Sequence, residues 1–280
     1  MRMLFGAGLA LLGFCVATVD AKEWTNVRIA TEGAYAPWNF TKPNGDFDGY
    51  DIDVTKTVCS RMKVTCTIVA QDWDGMIPAL NAGKFDAIVA SMAPTEERRK
   101  VIAFTVSYAL GPRSFVTTRS APLGAIGEQD VTLDLEKAPG DVQRAVDALK
   151  PQLKGKTIGV QSATTHAAFM DRYFKGEVEV REYKSAEQLL LDLTAGRIDA
   201  AFDDMAFLTG QRDTPGGRDL VFFGPHFDGG LFGNGAAVAL RQSDPELREK
   251  FDIALKSAIA DGTLSALSMK WFKMDIAPKQ

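Results

Sequence analysis

Arg98 is the side chain whose chemistry is easiest to name. It closes the run Phe85-Asp86-Ala87-Ile88-Val89-Ala90-Ser91-Met92-Ala93-Pro94-Thr95-Glu96-Glu97-Arg98. Residues 87–90 are a short apolar run, as expected of a strand buried on both faces. Ser91 to Ala93 leave it through small residues, and Thr95 is placed to cap a helix that carries Arg98. In open α/β sheets ligands sit beyond the carboxyl ends of strands, where backbone N–H groups of a following helix favour an anion. A guanidinium there can grip a carboxylate with two parallel hydrogen bonds. The competing use of Arg98 is a solvated helix-surface charge paired with Glu96 or Glu97.

Three other stretches offer chemistry. Glu32-Gly33-Ala34-Tyr35-Ala36-Pro37-Trp38 puts a carboxylate, a phenol and an indole among small residues, a composition that suits a ligand loop. Gln161-Ser162-Ala163-Thr164-Thr165-His166 opens a helix with amide, hydroxyl and imidazole groups. It can serve an anion, or Thr164 or Thr165 can simply cap the helix. His166 has no nucleophile pattern beside it, and the chain holds only 2 His, so imidazole catalysis has little support. Asp203 and Asp204 end a further apolar run, with Asp204 either a ligand carboxylate or a helix N-cap. Trp73 stands in the loop before a helix that closes at Asn81-Ala82-Gly83, and either core packing or a ligand platform accounts for it.

These groups need strands to carry them. Residues 27–31, 64–69, 156–160, 178–183 and 236–240 have strand character, and helices follow from 52, after 165, over 185–194, from Pro245 with Asp244 as N-cap to about 259, and from Thr263 to about Phe272. Residues 119–154 mix Pro, Gly and charge around an amphipathic stretch, 142–149, consistent with a helical insertion or a mobile surface arm. The Gly-rich residues 222–235 suit turns or a hinge, and they lack the strand–GxGxxG–helix context of a dinucleotide site. Ile77 to Val89 echoes Leu191 to Phe202: helix, Ala-Gly, basic residue, apolar residue, Asp-Ala, strand. Two similar α/β lobes explain the echo economically. One lobe would deliver Ser91 and Arg98 past its strand and the other Asp203 and Asp204, so that a zwitterion could lie between them.

Composition fits this frame. The 280 residues suffice for two lobes of roughly 100–150 residues each. Net charge is −4 with no basic block, which argues against a nucleic-acid partner. Arg2, an apolar run over 4–19 and Val19-Asp20-Ala21 form a signal peptide expected to end at residue 21, and Cys15 is expected to leave with it. Cys59 and Cys66 then remain, and export, even count and close spacing argue for a disulfide over a metal site, since no His is near.

Further motifs carry a resemblance. Ala30-Thr31-Glu32-Gly33-Ala34-Tyr35-Ala36-Pro37, Gly49-Tyr50-Asp51-Ile52-Asp53, Gly83-Lys84-Phe85-Asp86-Ala87, Thr95-Glu96-Glu97-Arg98, Gly159-Val160-Gln161, Ala195-Gly196-Arg197-Ile198-Asp199-Ala200, Leu231-Phe232-Gly233 and Ala260-Asp261-Gly262-Thr263 run the length of the mature chain. Together they resemble the periplasmic amino-acid-binding proteins of ABC importers, family 3, especially the histidine, lysine/arginine/ornithine and opine binders. The resemblance implies a two-lobed α/β periplasmic binding protein of type II, each lobe a mixed sheet flanked by helices, with two hinge crossings. It implies one lobe from residues 22–111 and 234–280 and another from 112–233.

It also implies roles. Arg98 grips the ligand α-carboxylate, Ser91 and Thr165 add hydrogen bonds, and Asp204 takes the α-ammonium. Tyr35 and Trp73 sandwich the side chain, and Glu32 meets its cationic end. Ala90, Met92, Ala93, Gln161, Thr164 and His166 complete the expected lining, and Cys59 pairs with Cys66. Ala93 departs from the hydrogen-bonding Ser of the histidine and lysine/arginine/ornithine binders. Gln161, His166 and the long 119–154 segment look more like the opine binders, whereas Asp204 looks like the plain amino-acid binders. The implied ligand is a cationic amino acid, with an arginine-derived opine second. The implied partners are that small molecule and an inner-membrane ABC permease, for a monomeric periplasmic protein with no cofactor, metal or catalytic residue. Periplasmic cyclohexadienyl dehydratases resemble the family too, but two carboxylates in the pocket would repel a dianion such as prephenate.

Overall fold

The computed structural model describes residues 23–279. The expected signal peptide and Cys15 lie outside them. The chain runs β1 (Asn26–Thr31), β2 (Ala34–Tyr35), β3 (Asn39–Thr41), β4 (Phe47–Asp48), α1 (Tyr50–Met62), β5 (Thr65–Ala70), α2 (Met76–Asn81), β6 (Ala87–Ile88), α3 (Glu96–Arg99) and β7 (Ala103–Ala109). It continues with β8 (Arg113–Thr118), β9 (Glu128–Asp134), α4 (Pro139–Leu153), β10 (Thr157–Gln161), α5 (Thr165–Phe174), β11 (Glu179–Tyr183), α6 (Ala186–Thr194), β12 (Ala200–Asp204) and α7 (Met205–Arg212). It ends with β13 (Leu220–Asp228), β14 (Ala236–Leu240), α8 (Pro245–Ala260) and α9 (Thr263–Phe272).

Two mixed sheets result, as expected of a two-lobed α/β protein. One has the order β5-β1-β6-β14-β7, with β14 antiparallel to its neighbours. The other has the order β11-β10-β12-β8-β13-β9, with β8 antiparallel to β12 and β13. The chain passes from the first sheet to the second between Ala109 and Arg113 and returns between Asp228 and Ala236. Burial on both faces explains why β6 and residues 200–202 of β12 read as apolar runs. The second lobe is centred on phenylalanines: Phe115, Phe169, Phe174, Phe202, Phe223, Phe227 and Phe232 are all fully buried. Each contributes roughly 1.5–3 kcal/mol by leaving water.

The sequence echo is a structural repeat. Gly83 and Gly196 close α2 and α6 with φ of +73° and +69°, and each donates its N–H three residues back, to Leu80 and Leu193. Next, Asp86 accepts the N–H of Arg28 at 2.9 Å, and Asp199 accepts that of Thr157 at 2.9 Å. Each aspartate thus ties its own strand to the neighbouring parallel strand. No side chain is tolerable at these glycines without strain, because the left-handed turn disfavours a Cβ.

Three expectations change. Residues 119–154 are not an arm: β9 pairs parallel with β13, and α4 buries Val142, Val146, Leu149 and Leu153. The first half of the Gly-rich stretch, through Asp228, is strand, so the return crossing starts only at Gly229. Asp244 makes no side-chain cap to α8, because its carboxylate faces Arg241 at 2.7 Å instead. Cys59 and Cys66 do pair, joining α1 to the start of β5 with Cα atoms 6.1 Å apart. Closing so short a loop is worth about 2 kcal/mol in the chain-entropy account. Among the described residues no helix is long and apolar enough to cross a membrane.

Candidate ligand-binding cleft

The strand ends of both lobes converge on one cavity. From the first lobe it is lined by Glu32, just past β1, Tyr35, Trp73, Ala90, Ser91 and Ala93 beyond β6, and Arg98 on α3. From the second it is lined by Gln161 at the end of β10, Thr164, Thr165 and His166 at the start of α5, Asp204 at the end of β12, and Arg113 at the start of β8. Met92 is the one expected residue outside this lining. Its side chain packs into the core cluster with Met76, Leu80 and Phe85, after the left-handed turn at Ser91.

Arg98 is positioned by a helix start. Thr95 caps α3 by accepting the N–H of Arg98 at 3.3 Å. The guanidinium donates to the carbonyl of Ala93 at 3.0 Å and, across the cleft, to that of Ala163 at 3.2 Å, and it lies 5.3 Å over the Trp73 ring. Glu97 pairs with Lys100, not with Arg98. Among the described residues no carboxylate lies within ion-pair distance of Arg98. Burial, and then the neighbouring Arg113, pull its pKa down to about 10, as expected of a cation held out of water without an anion.

The acids gather opposite. Asp204 caps α7, accepting the N–H of Phe207 at 3.0 Å, and also accepts the Trp38 indole N–H at 3.2 Å. It is therefore both a cap and a cleft carboxylate, and burial raises its pKa against the pull of Arg113. Asp203, fully buried, accepts the Tyr35 hydroxyl at 2.6 Å and the Asp204 N–H at 2.7 Å through Oδ1, while Oδ2 has no partner. Burial pushes its pKa up to about 7. Glu32 accepts the Gln161 amide at 2.8 Å across the cleft. Burial pushes Glu32 up to about 7 as well, with the Gln161 hydrogen bond opposing and Asp72 and Asp74 adding to the rise. His166 sits 3.4 Å from Asp203, yet burial and then Arg113 and Arg98 hold its pKa well below the ordinary value, so it is neutral at pH 7.

The aromatic walls are unequal. Phe207 stacks on Tyr35 with ring centroids 4.2 Å apart, so one face of that ring is already covered. Trp73 donates its indole N–H to the Ala163 carbonyl at 3.3 Å. Arg113 is the lining group that sequence reading missed, and Asp203, singled out with Asp204 in the sequence, adjoins the cavity without lining it. Arg113 is 6% exposed and bonded to Asp228 at 2.9 Å and to the Gly111 carbonyl at 2.8 Å. Its only sequence signal was its place directly after the crossing at Gly111-Pro112. Asp203 was visible as one of two consecutive acids, and alternation along β12 sends the two in different directions.

Comparison with known proteins follows the geometry. Residues 27–274 match the sequence model of the bacterial extracellular solute-binding proteins, family 3. The octopine-binding periplasmic protein of Rhizobium meliloti is 39% identical over 283 residues, covering 95% of this chain and 96% of its own. The histidine-binding periplasmic protein of Escherichia coli K12 is 38% identical over 256 residues, covering 90% and 89%. Among solved structures, a periplasmic His/Glu/Gln/Arg/opine family-binding protein from Silicibacter pomeroyi, in complex with lysine, superposes with a TM-score of 0.71 at 32% identity, covering 90% of this chain and 99% of its own.

Proposed function

The chain belongs to the bacterial extracellular solute-binding proteins, family 3, and on that premise we propose that it captures a cationic amino acid between its lobes for an ABC importer. The arginine, lysine, ornithine and histidine class is the ligand. The observation that carries this is one cavity holding an anion-free guanidinium, Arg98, together with the carboxylates of Glu32 and Asp204. Arg98 takes the α-carboxylate, Asp204 the α-ammonium, and Ser91 and Thr165 bond the polar ends. Tyr35 and Trp73 flank the side chain, and Glu32, held by Gln161, receives its positive end. Desolvated charge-assisted hydrogen bonds of this kind supply affinity and orientation together.

The lobes are residues 22–111 with 234–280, and residues 112–233. The protein works as a monomer in the periplasm, delivered by its signal peptide, and hands its ligand to an inner-membrane permease. We read it as a receptor and not as an enzyme, because Glu32 and Asp204 in the lining complement a cationic ligand to be held rather than converted. An opine is the second reading, favoured by Arg113, a second guanidinium in the lining that suits a second carboxylate. Isothermal titration with arginine, lysine, ornithine, histidine, octopine and nopaline tests both. Binding of a cationic amino acid supports the first reading, tighter binding of an opine supports the second, and binding of none refutes the assignment. Incubation with prephenate is expected to give no phenylpyruvate.

A further inference from the structure

Asp51 has no part in the lining of the cleft, yet it is fully buried. It lies in the first turn of α1, in the Gly49-Tyr50-Asp51 motif. Among the described residues it has no cation within ion-pair distance. A carboxylate buried that way is costly unless its hydrogen bonds repay the lost hydration. Its two oxygens are spent on different structures. Oδ2 accepts the Asn39 side-chain amide at 2.8 Å, and the Asn39 oxygen accepts the N–H of Gly33 at 2.8 Å. Oδ1 accepts the Tyr108 hydroxyl at 2.7 Å, and that hydroxyl accepts the N–H of Ser91 at 3.0 Å.

We infer that Asp51 is a positioning residue that sets the two ligand loops of the first lobe from one buried carboxylate, through Asn39 to the Glu32–Tyr35 loop and through Tyr108 to Ser91. The inference rests on the reading of the cleft as an amino-acid site. Three local features agree with it. Ser91 has φ of +50°, a left-handed conformation that a non-glycine residue holds only when its surroundings enforce it. The Tyr108 hydroxyl bonded to the Ser91 N–H is that enforcement. Gly33 adjoins Glu32, so the Asn39 branch fixes the loop carrying the acid. Gly49 has φ of +124°, and a Cβ there would lie 2.4 Å from the Trp38 carbonyl. That close approach lets Tyr50 and Asp51 donate their N–H groups to Pro37 and Trp38, at 3.0 and 2.8 Å, which seats the carboxylate beneath both loops. Burial pushes the Asp51 pKa up to about 7, while the bonds from Tyr108 and Asn39 oppose the rise.

The donor–acceptor pattern gives a swap test. Asp51→Asn keeps only one acceptor for two donors, so its new amide donor faces either the Asn39 amide or the Tyr108 hydroxyl and one branch breaks. Combining it with Asn39→Asp restores a donor facing an acceptor and still leaves an acceptor for Gly33. Arginine affinity by titration and the amide resonances of Gly33 and Ser91 in ligand-free protein are the readouts. Asp51→Asn should weaken arginine about tenfold, roughly the worth of one broken charged hydrogen bond, and shift the Gly33 or the Ser91 resonance. The double substitution should recover most of both. Tyr108→Phe, which leaves the carboxylate in place, should move the Ser91 resonance and also weaken binding. Unchanged affinity and resonances in a folded Asp51→Asn protein, or no recovery in the swap while Tyr108→Phe binds normally, would overturn the inference. If the wild type itself ignores arginine, the functional reading fails, and the two resonances still decide whether Asp51 positions the loops.

Discussion

The two lobes launch their site residues with the same device and then diverge. In each, a glycine with positive φ ends a helix, and an aspartate, Asp86 or Asp199, locks the strand to its parallel neighbour. Beyond that point the first lobe separates two jobs. Thr95 caps the helix and Arg98 supplies the charge. In the second lobe one residue does both, because Asp204 caps α7 and presents the carboxylate. On the proposed reading of the cleft, binding and stability are separable on the Arg98 side and fused on the Asp204 side. The locks differ as well. Among the described residues, Asp86 pairs with two cations, Arg28 and Arg241, and Asp199 with one, Lys156. Burial alone would raise the Asp86 pKa, but the hydrogen bonds from Arg28 and Arg241 hold it below the ordinary carboxylate range.

Substitution at Arg98 should produce the largest effect. Arg98→Ala removes a buried charged partner of the ligand, a loss of about 2–5 kcal/mol in affinity. Titration should show arginine binding weakened by about a hundredfold or more, a drop of roughly 3 kcal/mol, while the melting temperature holds or rises because an anion-free cation has been taken out. A large fall in melting temperature would erase the proposed separation of jobs. Asp204 should behave differently. Asp204→Ala is expected to lower both affinity and stability, the latter by about 1 kcal/mol for the lost cap. Asp204→Asn keeps a good capping residue and loses the charge, so it should recover the melting temperature without recovering affinity. Parallel recovery of both would mean that Asp204 only caps.

Glu32 sharpens the comparison through pH. Its pKa is raised to about 7 in the ligand-free protein, so the carboxylate is protonated below that pH and ionised above it. Affinity for arginine should therefore rise from about pH 6 to about pH 8, with a proton released on binding near neutrality. The sign for stability is the opposite. A carboxyl raised on folding binds protons more tightly in the native state, so the ligand-free fold should lose stability as pH climbs from about 4.5 through about 7. Glu32→Gln should flatten the affinity profile and weaken arginine while sparing neutral amino acids. An equal loss for both would remove Glu32 from the recognition of charge. The smallest effect on binding is expected from reduction of Cys59–Cys66, which lies on α1 and β5 away from the cleft. Calorimetry should show a lower melting temperature with affinity nearly unchanged.

Much of this was legible in the chain because its signals are local. Thr95, Thr164, Ser185 and Asp204 all cap helices as their side-chain chemistry suggests. The apolar runs at 87–90 and 200–202 announce buried strands, and the repeated Ala-Gly-basic-apolar-Asp pattern announces the second lobe. What stayed hidden depends on contacts distant in sequence. β9, Glu-Gln-Asp-Val-Thr-Leu-Asp, is an edge strand whose first five residues are exposed, and its apolar alternation is confined to Val131 and Leu133 at its end. Arg113 becomes a site residue only because the crossing delivers β8 beside α5 and β12. Met92 reads as lining by its neighbours, but the direction of one side chain in an irregular segment is set by packing. The role proposed for Asp51 depends on Asn39 and Tyr108, which its own sequence neighbourhood does not reveal.

The central claim is that one guanidinium and one carboxylate, delivered by opposite lobes, hold the two ends of a small zwitterion. A crystal structure of the protein loaded with arginine tests it most directly. The account predicts the ligand carboxylate on the Arg98 guanidinium, the α-ammonium on Asp204 and the side-chain end at Glu32. A ligand bound elsewhere, or one held in the cleft with neither Arg98 nor Asp204 in contact, would contradict it.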